Sequence, residues 1–329
     1  MRAAAAFVAL GCACGCGSSR AATDDLGTAP DFAGSSLTWE ARASLPAARQ
    51  ETAVVALGGK VYVLGGFDSA QQIVATVEAW DPGSDAWTAV APLPAPVHHA
   101  NAAVAGGKIY VAGALQGAGF TAVANTWAYD PASNAWTARA SMPAGTQRGA
   151  AMVGVAGDEV YVAGGFRGGA VADFSAYDTV ADSWTALPPL PAPRDHGVGA
   201  VVGTTFYAIG GRDSSPAAHL PRVDGFDLAA GAWSARAPLP TSRGGAAAGV
   251  LDGTILVAGG EGNAGSPNGV FAAFERYDAA TDQWSALPPM RTPRHGTGGA
   301  VVGRTFVVPG GATVQAFGAT AVVEAVAFP

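Results

Sequence analysis

VYVLGG at residues 61–66 opens the stretch that decides the fold of this chain, and VEAWDP at 77–82 and Trp87 complete it. Each short apolar run ends in turn-forming residues. Glycine at a strand end permits backbone angles that other residues avoid. Runs of this length, rich in Val and aromatic residues, are typical of β-strands. The stretch therefore predicts consecutive strands joined by tight turns.

This pattern recurs throughout the chain, at intervals of 48 to 51 residues between successive tryptophans. The recurring tryptophans are Trp39, Trp87, Trp136, Trp184, Trp233 and Trp284. An aromatic residue followed by Asp precedes the last five of them, at Asp81, Asp130, Asp178, Asp227 and Asp278. Double glycines recur in phase and end at Gly66, Gly165, Gly211, Gly260 and Gly311, while Gly113-Ala114 takes the remaining position. A fixed period of this length, with four strands per unit, predicts propeller blades.

The order double glycine, aromatic–Asp and Trp resembles a Kelch repeat from residue 37 to the end of the chain. The resemblance implies an all-β, six-bladed Kelch-type β-propeller. The last unit ends with residues 323–328, which align with the third strand of the other units and contain neither the Asp nor the Trp. Trp39, near the start, has no blade before it. We therefore expect the strand around residues 37–41 to join the last blade, which closes the ring and removes an exposed edge. One domain over 37–329 is predicted.

Composition and charge narrow the classes of function. The chain has 329 residues, 46 Gly, 22 Pro and 49% hydrophobic residues, which favours short strands over long helices. The net charge is −7, and Lys60 and Lys108 are the only lysines. Nucleic-acid binding requires a basic stripe that this sequence lacks. We therefore expect no nucleic-acid partner.

The N-terminus has the layout of an export signal. Arg2 is followed by an apolar run over 3–10 and by small residues around Cys12. The sequence ALGC at 9–12 resembles a bacterial lipoprotein box, which implies lipidation at Cys12, with Cys14 and Cys16 as alternatives. We expect an export signal over 1–16, a flexible tether over 17–36, and a place in the bacterial cell envelope or outside the cell. Contact with a membrane is expected only through the lipid.

The cysteines also limit the chemistry of the domain. All three lie before residue 17, so the predicted propeller has no disulfide and no thiolate. Copper-dependent oxidases of the Kelch group need a Cys bonded to a Tyr, so the resemblance does not extend to them. We expect no cofactor and a monomer.

One loop position carries Arg in five of the six units, thirteen residues before the middle of the second strand. These arginines are Arg49, Arg148, Arg194, Arg243 and Arg294, and Val97 takes the position in the second unit. His98, His99, His196 and His295 follow in the same loops, and the loops after the double glycines add Arg167 and Arg212. We expect all of these residues except Val97 on the face around the central channel, as candidate ligand-binding residues.

Two interpretations of the Arg series remain open. The arginines could hydrogen-bond loop carbonyls and stabilise the blade junctions. Alternatively, a ring of guanidinium groups could bind carboxylates, and Kelch adaptors that this chain resembles grip acidic peptides with Arg at the matching position. Replacing Arg194 and Arg243 with Ala should then abolish binding of an anion with little effect on folding. A large loss of thermal stability would support the structural interpretation.

Three functional hypotheses follow. The favoured one is a tethered module that binds a protein or an anionic glycan through the Arg- and His-lined face. The second is a sugar-acid mutarotase, because the chain resembles exported six-bladed Kelch proteins that interconvert the ring forms of a sialic acid. Candidate acid–base carboxylates are Glu51, Asp195 and Glu261. The third is a purely structural propeller. The histidines of alternate units could also converge on a metal, but we expect solvated loop histidines and no metal.

Overall fold

The computed structural model describes residues 37–215 and 217–329. These residues form 26 β-strands and no helix. Six antiparallel sheets of four strands each follow one another in chain order, and the first strands of neighbouring sheets lie side by side in a closed ring. The structure confirms the predicted all-β, six-bladed Kelch-type propeller.

The strands of each blade follow the order expected from the repeat. Before the first blade lie β1 (Trp39–Ala41) and β2 (Arg49–Gln50). The first blade contains β3 (Ala53–Leu57), β4 (Lys60–Leu64), β6 (Val77–Asp81) and β7 (Ala86–Val90), and β5 (Phe67–Asp68) pairs with β2. The second contains β8 (Ala102–Ala105), β9 (Lys108–Gln116), β10 (Thr121–Asp130) and β11 (Ala135–Arg139). The third contains β12 (Met152–Ala156), β13 (Glu159–Ala163), β14 (Phe174–Asp178) and β15 (Ser183–Leu187). The fourth contains β16 (Val198–Val202), β17 (Thr205–Ile209), β18 (Val223–Asp227) and β19 (Ala232–Ala235). The fifth contains β20 (Ala247–Leu251), β21 (Thr254–Ala258), β22 (Phe274–Asp278) and β23 (Gln283–Leu287). The sixth contains β24 (Ala300–Val302), β25 (Thr305–Pro309) and β26 (Val323–Ala327).

The first described strand completes the sixth blade. β1 pairs antiparallel with β26, with Trp39 opposite Val326 and Ala41 opposite Glu324. The blade therefore has the order β1-β26-β25-β24. This arrangement confirms the predicted closure of the ring, and it covers the edge of β26 that would otherwise be free to pair with another chain.

A closed cycle of six backbone hydrogen bonds surrounds the channel at the loop that enters each blade. Each N–H donates to the carbonyl of the equivalent residue in the preceding blade, at 2.5–3.0 Å, and the Glu51 N–H closes the cycle on the Gly296 carbonyl. The members of this inner ring are Glu51, His99, Ala150, His196, Gly245 and Gly296. The inner ring fixes the positions of the blade entry loops relative to one another.

A second cycle lies near the outer edge of the blades. Each recurring tryptophan donates its indole N–H to a backbone carbonyl at the end of the preceding blade, at 2.8–2.9 Å. The acceptors for Trp39 to Trp284, in chain order, are the carbonyls of Pro288, Ala43, Ala91, Ala140, Pro188 and Ala237. The repeated tryptophan therefore joins neighbouring blades by a hydrogen bond as well as by packing.

The predicted N-terminal features lie outside the described residues. They are the export signal over 1–16, the lipidation of Cys12 and the tether over 17–36, which stay predictions. In the described part of the chain, no helix has the length and hydropathy needed to span a bilayer.

We expect Trp39 to be the most sensitive of the recurring tryptophans, because it is 3% exposed and packs edge-on against Phe274 at 5.1 Å between ring centroids. Trp39→Ala should lower the free energy of unfolding by about 3–5 kcal/mol. Trp39→Phe should lose less, because it keeps most of the apolar contact. Chemical denaturation of both variants measures the difference, and equal losses would contradict the assigned packing role.

Candidate functional site

The inner ring separates two cavities on the channel axis. One cavity, of about 240 Å³, lies along the first strands and is lined mainly by small residues. The other, of about 210 Å³, lies among the loops and is called here the mouth pocket. Its titratable lining consists of Glu51, His99, His196, Arg212, Glu261 and His295. Glu51, His99 and His196 line both cavities, whereas Arg212, Glu261 and His295 line the mouth pocket and not the other cavity.

The backbone of the inner ring favours glycine, yet three blades place functional side chains there. Glu51, His99 and His196 have φ values of 52°, 50° and 55°. Two other members of the ring are glycines, for which this left-handed conformation is unstrained. Residues with side chains avoid this region, and those that are held in it cluster at functional sites. The unfavourable backbone of these three residues points to a use for their side chains.

Glu51 lies at one end of a hydrogen-bonded chain of groups. Its Oε2 is 3.0 Å from His99 Nε2, and His99 Nδ1 is 2.6 Å from His98 Nδ1. His98 Nε2 donates to the Gly117 carbonyl, which leaves His98 Nδ1 to accept the proton of His99 Nδ1. The proton between His99 Nε2 and the Glu51 carboxylate is then the one that can move into the pocket.

The charges around this chain favour an ionised Glu51. Burial alone would raise the pKa of its carboxyl group, but the charge and the hydrogen bond of His99 outweigh burial and hold that pKa well below its usual range. Burial, together with the charge of His99, lowers the pKa of His98 to about 3. His98 therefore stays neutral and positions His99.

A second cluster is centred on Arg212. Its guanidinium donates to Asp195 Oδ1 at 3.0 Å, to Glu261 Oε1 and to His196 Nε2 at 3.0 Å. His196 Nδ1 in turn lies 2.5 Å from Asp195 Oδ1. Since Nε2 accepts from Arg212, His196 is the neutral tautomer with its proton on Nδ1. Burial lowers the pKa of His196, which also favours the neutral ring.

His295 offers a free nitrogen lone pair. Its Nε2 donates to the Val314 carbonyl at 3.0 Å, so Nδ1 carries no proton in the neutral ring. His295 Nδ1 is buried without a hydrogen-bond partner in the described structure. It lies 3.8 Å from Glu51 Oε1 and 3.7 Å from Glu261 Oε2. A buried polar atom without a partner is costly and indicates either a bound ligand or a catalytic role.

Three aromatic rings also line the pocket. Phe67, Phe120 and Phe317 line it, and Phe67 contacts Phe317 edge-on at 5.4 Å between centroids. Gln50 holds the loop that carries Phe317, by donating to the Ala316 carbonyl and accepting from the Gly318 N–H. Sequence reasoning did not single out Phe120 or Phe317, because neither belongs to the repeated pattern.

The structure corrects the expected position of the arginine series. Arg49, Arg148, Arg194, Arg243 and Arg294 are 0–1% exposed and lie inside the blades, not at the channel mouth. Four of them pair with an acid on the third strand of their own blade: Arg49 with Glu78, Arg194 with Asp224, Arg243 with Glu275, and Arg294 with Glu324. They also donate to backbone carbonyls, as Arg243 does to Val257 at 3.0 Å. These contacts support the structural interpretation of the series over the ligand-binding one.

The other candidate residues divide between the pocket and its surroundings. His99, His196, His295, Arg212, Glu51 and Glu261 line the pocket, and Asp195 lies behind Arg212. His98 is buried behind His99. The expectation of solvated loop histidines is wrong, because His98, His99, His196 and His295 are at most 9% exposed. Arg167 is not part of the lining and pairs with Asp173 at 3.0 Å.

Three of these residues could hold a metal by distance alone. One ligand atom from each of Glu51, His99 and His196 lies within 4.8 Å of the others. However, His196 Nε2 already accepts from Arg212, and the guanidinium charge would repel a cation. The arrangement therefore favours proton transfer over metal binding, and the absence of a metal stays a prediction.

Comparisons with known proteins agree with the fold. The KLHDC2/KLHL20/DRC7 Kelch-repeats domain matches residues 31–190, and the Kelch motif matches residues 242–291. The solved structure of YjhT is similar with a TM-score of 0.70 and 18% identity, over 87% of this chain and 95% of that one. A search of curated proteins found no significant match. At this identity the structural similarity supports the fold alone, so the function has to be inferred from the site.

We expect the arginine series to act on stability. Arg243→Ala leaves Glu275 buried without its partner, so the free energy of unfolding should fall by about 3–5 kcal/mol. Arg291 is exposed and serves as the control, and Arg291→Ala should change stability by less than about 0.5 kcal/mol. Thermal or urea unfolding measures both, and a normal stability of Arg243→Ala would restore the ligand-binding interpretation.

Stability should also depend on pH through His98. The unfolded chain binds a proton at His98 below about pH 6.5, whereas the folded chain does so only near the lowered pKa of about 3. The free energy of unfolding should therefore fall as the pH drops from 7 to 5. His98→Asn should reduce this slope by about one proton. Urea unfolding at several pH values measures the slope, and identical slopes would show that His98 titrates normally.

Proposed function

Because the chain belongs to the Kelch-repeat β-propeller family, we propose that it uses the mouth pocket as the catalytic site of a sugar mutarotase. The observation that carries the proposal is the convergence of a free imidazole nitrogen, His295 Nδ1, with the Glu51–His99 pair in one pocket. Mutarotation needs a base and an acid on either side of one hemiacetal carbon and no cofactor.

The two groups suit the two proton transfers of ring opening. As a general base, His295 Nδ1 removes the proton of the anomeric hydroxyl, whose oxygen forms the new carbonyl. As a general acid, His99 Nε2–H protonates the ring oxygen while its bond to the anomeric carbon breaks, and Glu51 stabilises the charge on His99. Ring closure on the other face of the carbonyl reverses both transfers. No atom is lost, so the enzyme returns to its starting state.

The size and walls of the pocket support a sugar. A cavity of about 210 Å³ lies below the usual range for drug-sized ligands. Phe67 and Phe317 provide apolar faces for the C–H surface of a pyranose, and Gln50 and Gln315 lie among the lining residues as amide groups. Such a combination of aromatic walls and a few polar groups is typical of small-molecule sites.

The charges favour an uncharged sugar over a sugar acid. Glu51, Asp195 and Glu261 have lowered pKa values that keep them ionised: burial opposes this, but their histidine and Arg212 neighbours outweigh it. Arg212 is the only arginine among the lining residues of the pocket in the described structure, and three protein groups already occupy its guanidinium. A carboxylate ligand would therefore meet net negative charge.

The same contacts weaken the hypothesis of an anion-binding module. That hypothesis relied on a ring of exposed guanidinium groups, and the five arginines of the series are buried in ion pairs and carbonyl contacts. Export and attachment through Cys12 remain part of the proposal, which places the enzyme in the cell envelope.

The direct test follows the anomers of freshly dissolved sugars by NMR, with the protein over residues 37–329. We expect faster equilibration of an uncharged pyranose than of a sialic acid. Glu51→Gln should reduce kcat/KM by about 100-fold, because His99 loses the carboxylate that stabilises its charge. Glu40→Gln, on the exposed face of β1, is the matched control and should keep full activity.

Three outcomes have distinct meanings. Activity that depends on Glu51 supports the proposal. Faster turnover of the sialic acid would keep the mutarotase and overturn the inference from charge. If folded wild-type protein accelerates neither sugar and instead captures an acidic peptide or glycan, the chain is a binding module and the catalytic proposal fails.

A further inference from the structure

A groove of about 680 Å³ lies beside the mouth pocket, among loops of the fourth, fifth and sixth blades. Residues from 217–219, 262–269 and 314–316 line it, and it is called here the loop groove. Gln315 and Ala316 line both the loop groove and the mouth pocket. The two cavities therefore lie next to each other on the same face of the propeller.

One pair of side chains separates the two cavities in the fourth and fifth blades. Glu261 lines the mouth pocket and His219 lines the loop groove, with His219 Nε2 at 3.9 Å from Glu261 Oε1. A β-carbon at Gly262, where φ is 105°, would collide with the His219 ring. Glycine at this position therefore lets the backbone lie against the ring that forms the wall.

The loop groove is polar but almost free of charge. Among the described residues that line it there is no Asp, Glu, Lys or Arg, and His219 is the only titratable residue. The mouth pocket, in contrast, has six titratable lining residues. Polar side chains of the loop groove are Asn263, Ser266, Asn268 and Gln315. Amide and hydroxyl groups donate to and accept from sugar hydroxyls, and they provide no charge to attract an ion.

Two of these side chains have hydrogen-bonding groups to spare. The Asn268 side chain is exposed, and its amide forms no hydrogen bond in the described part of the chain. Ser266 Oγ accepts from the Asn268 N–H at 3.3 Å, so its own hydroxyl proton remains available. Asn263, in contrast, holds the loop together by donating to the Val270 carbonyl and accepting from the Gly265 N–H.

We propose that the loop groove binds the second ring of an uncharged reducing disaccharide whose first ring lies in the mouth pocket. The mouth pocket, at about 210 Å³, is below the usual range for drug-sized ligands, whereas the loop groove falls within it. A second ring therefore has room in the loop groove and not in the mouth pocket.

The choice of the reacting ring rests on the proposed function. Mutarotation requires a free anomeric hydroxyl on the first ring, so the second ring must be attached through another hydroxyl of that ring. Hydroxyl groups of the second ring then bind the Asn268 amide and the Ser266 hydroxyl. Its C–H surface contacts Pro267 and Val314, which also line the loop groove.

The test compares glucose with maltose, cellobiose and isomaltose, in which the reacting ring is the same glucose. NMR follows the anomers of each freshly dissolved sugar with the protein over residues 37–329. We expect at least one disaccharide to have a kcat/KM about tenfold above that of glucose. The gain should come from a lower KM, because the second ring contributes equally to substrate and transition-state binding.

A pair of tryptophan variants locates the gain. Ala264 lines the loop groove, so Ala264→Trp should fill it and lower the ratio of kcat/KM for that disaccharide to that for glucose to about one. Ala280, exposed in the turn between β22 and β23, is the matched control, and Ala280→Trp should keep the wild-type ratio. Asn268→Ala should lower the ratio in part.

Saturation transfer from the protein to protons of the second ring measures binding without catalysis. If no sugar is isomerised, but saturation reaches the second ring and is lost in Ala264→Trp, the loop groove stands and the mutarotase falls. If glucose equilibrates faster but no disaccharide exceeds it and no saturation reaches any second ring, the mutarotase stands and this proposal is overturned. A disaccharide preference that survives in folded Ala264→Trp also overturns it.

Discussion

The cycle of hydrogen bonds in the inner ring is the constraint on which the rest of the molecule depends. Each entry loop must present one N–H and one carbonyl to its neighbours, and the left-handed backbone of each ring residue allows it to do so. Since only backbone groups close the ring, the side chain at this position can differ from blade to blade. Three blades have Gly or Ala there, whereas Glu51, His99 and His196 line the mouth pocket from the same positions.

The arginine two residues before the ring residue stabilises the same loop in five of the blades. In the fifth blade, the Arg243 carbonyl accepts from the second glycine of the preceding blade while its side chain pairs with Glu275 inside its own blade. The second blade lacks this pair and carries Val97 at the arginine position. That blade supplies His98 and His99 from its entry loop and Phe120 from the long hairpin of β9 and β10, and His99 and Phe120 line the pocket. The blade without the structural pair is therefore one of those that supply groups to the mouth pocket.

Much of the fold could be predicted from the sequence, because repeated residues make repeated contacts. The period of the tryptophans predicted the number of blades, and the incomplete last unit predicted that β1 closes the ring. The sequence did not show that the arginine side chains point into the blades, because this depends on third-strand partners such as Glu275, about thirty residues away. The proximity of His295 to Glu51 depends on ring closure across nearly the whole chain. Phe317 lies in a loop outside the repeat, so its position in the pocket had no sequence signal.

Nitrogen-15 NMR of the histidine rings tests the central claim most directly, namely that the inner ring places a free base beside a proton donor. We predict that His295 at neutral pH carries its proton on Nε2 alone, and that the Nδ1 resonance shifts when a sugar that the protein isomerises is added. A His295 ring protonated on both nitrogens, or one whose resonances ignore such a sugar, would contradict the account.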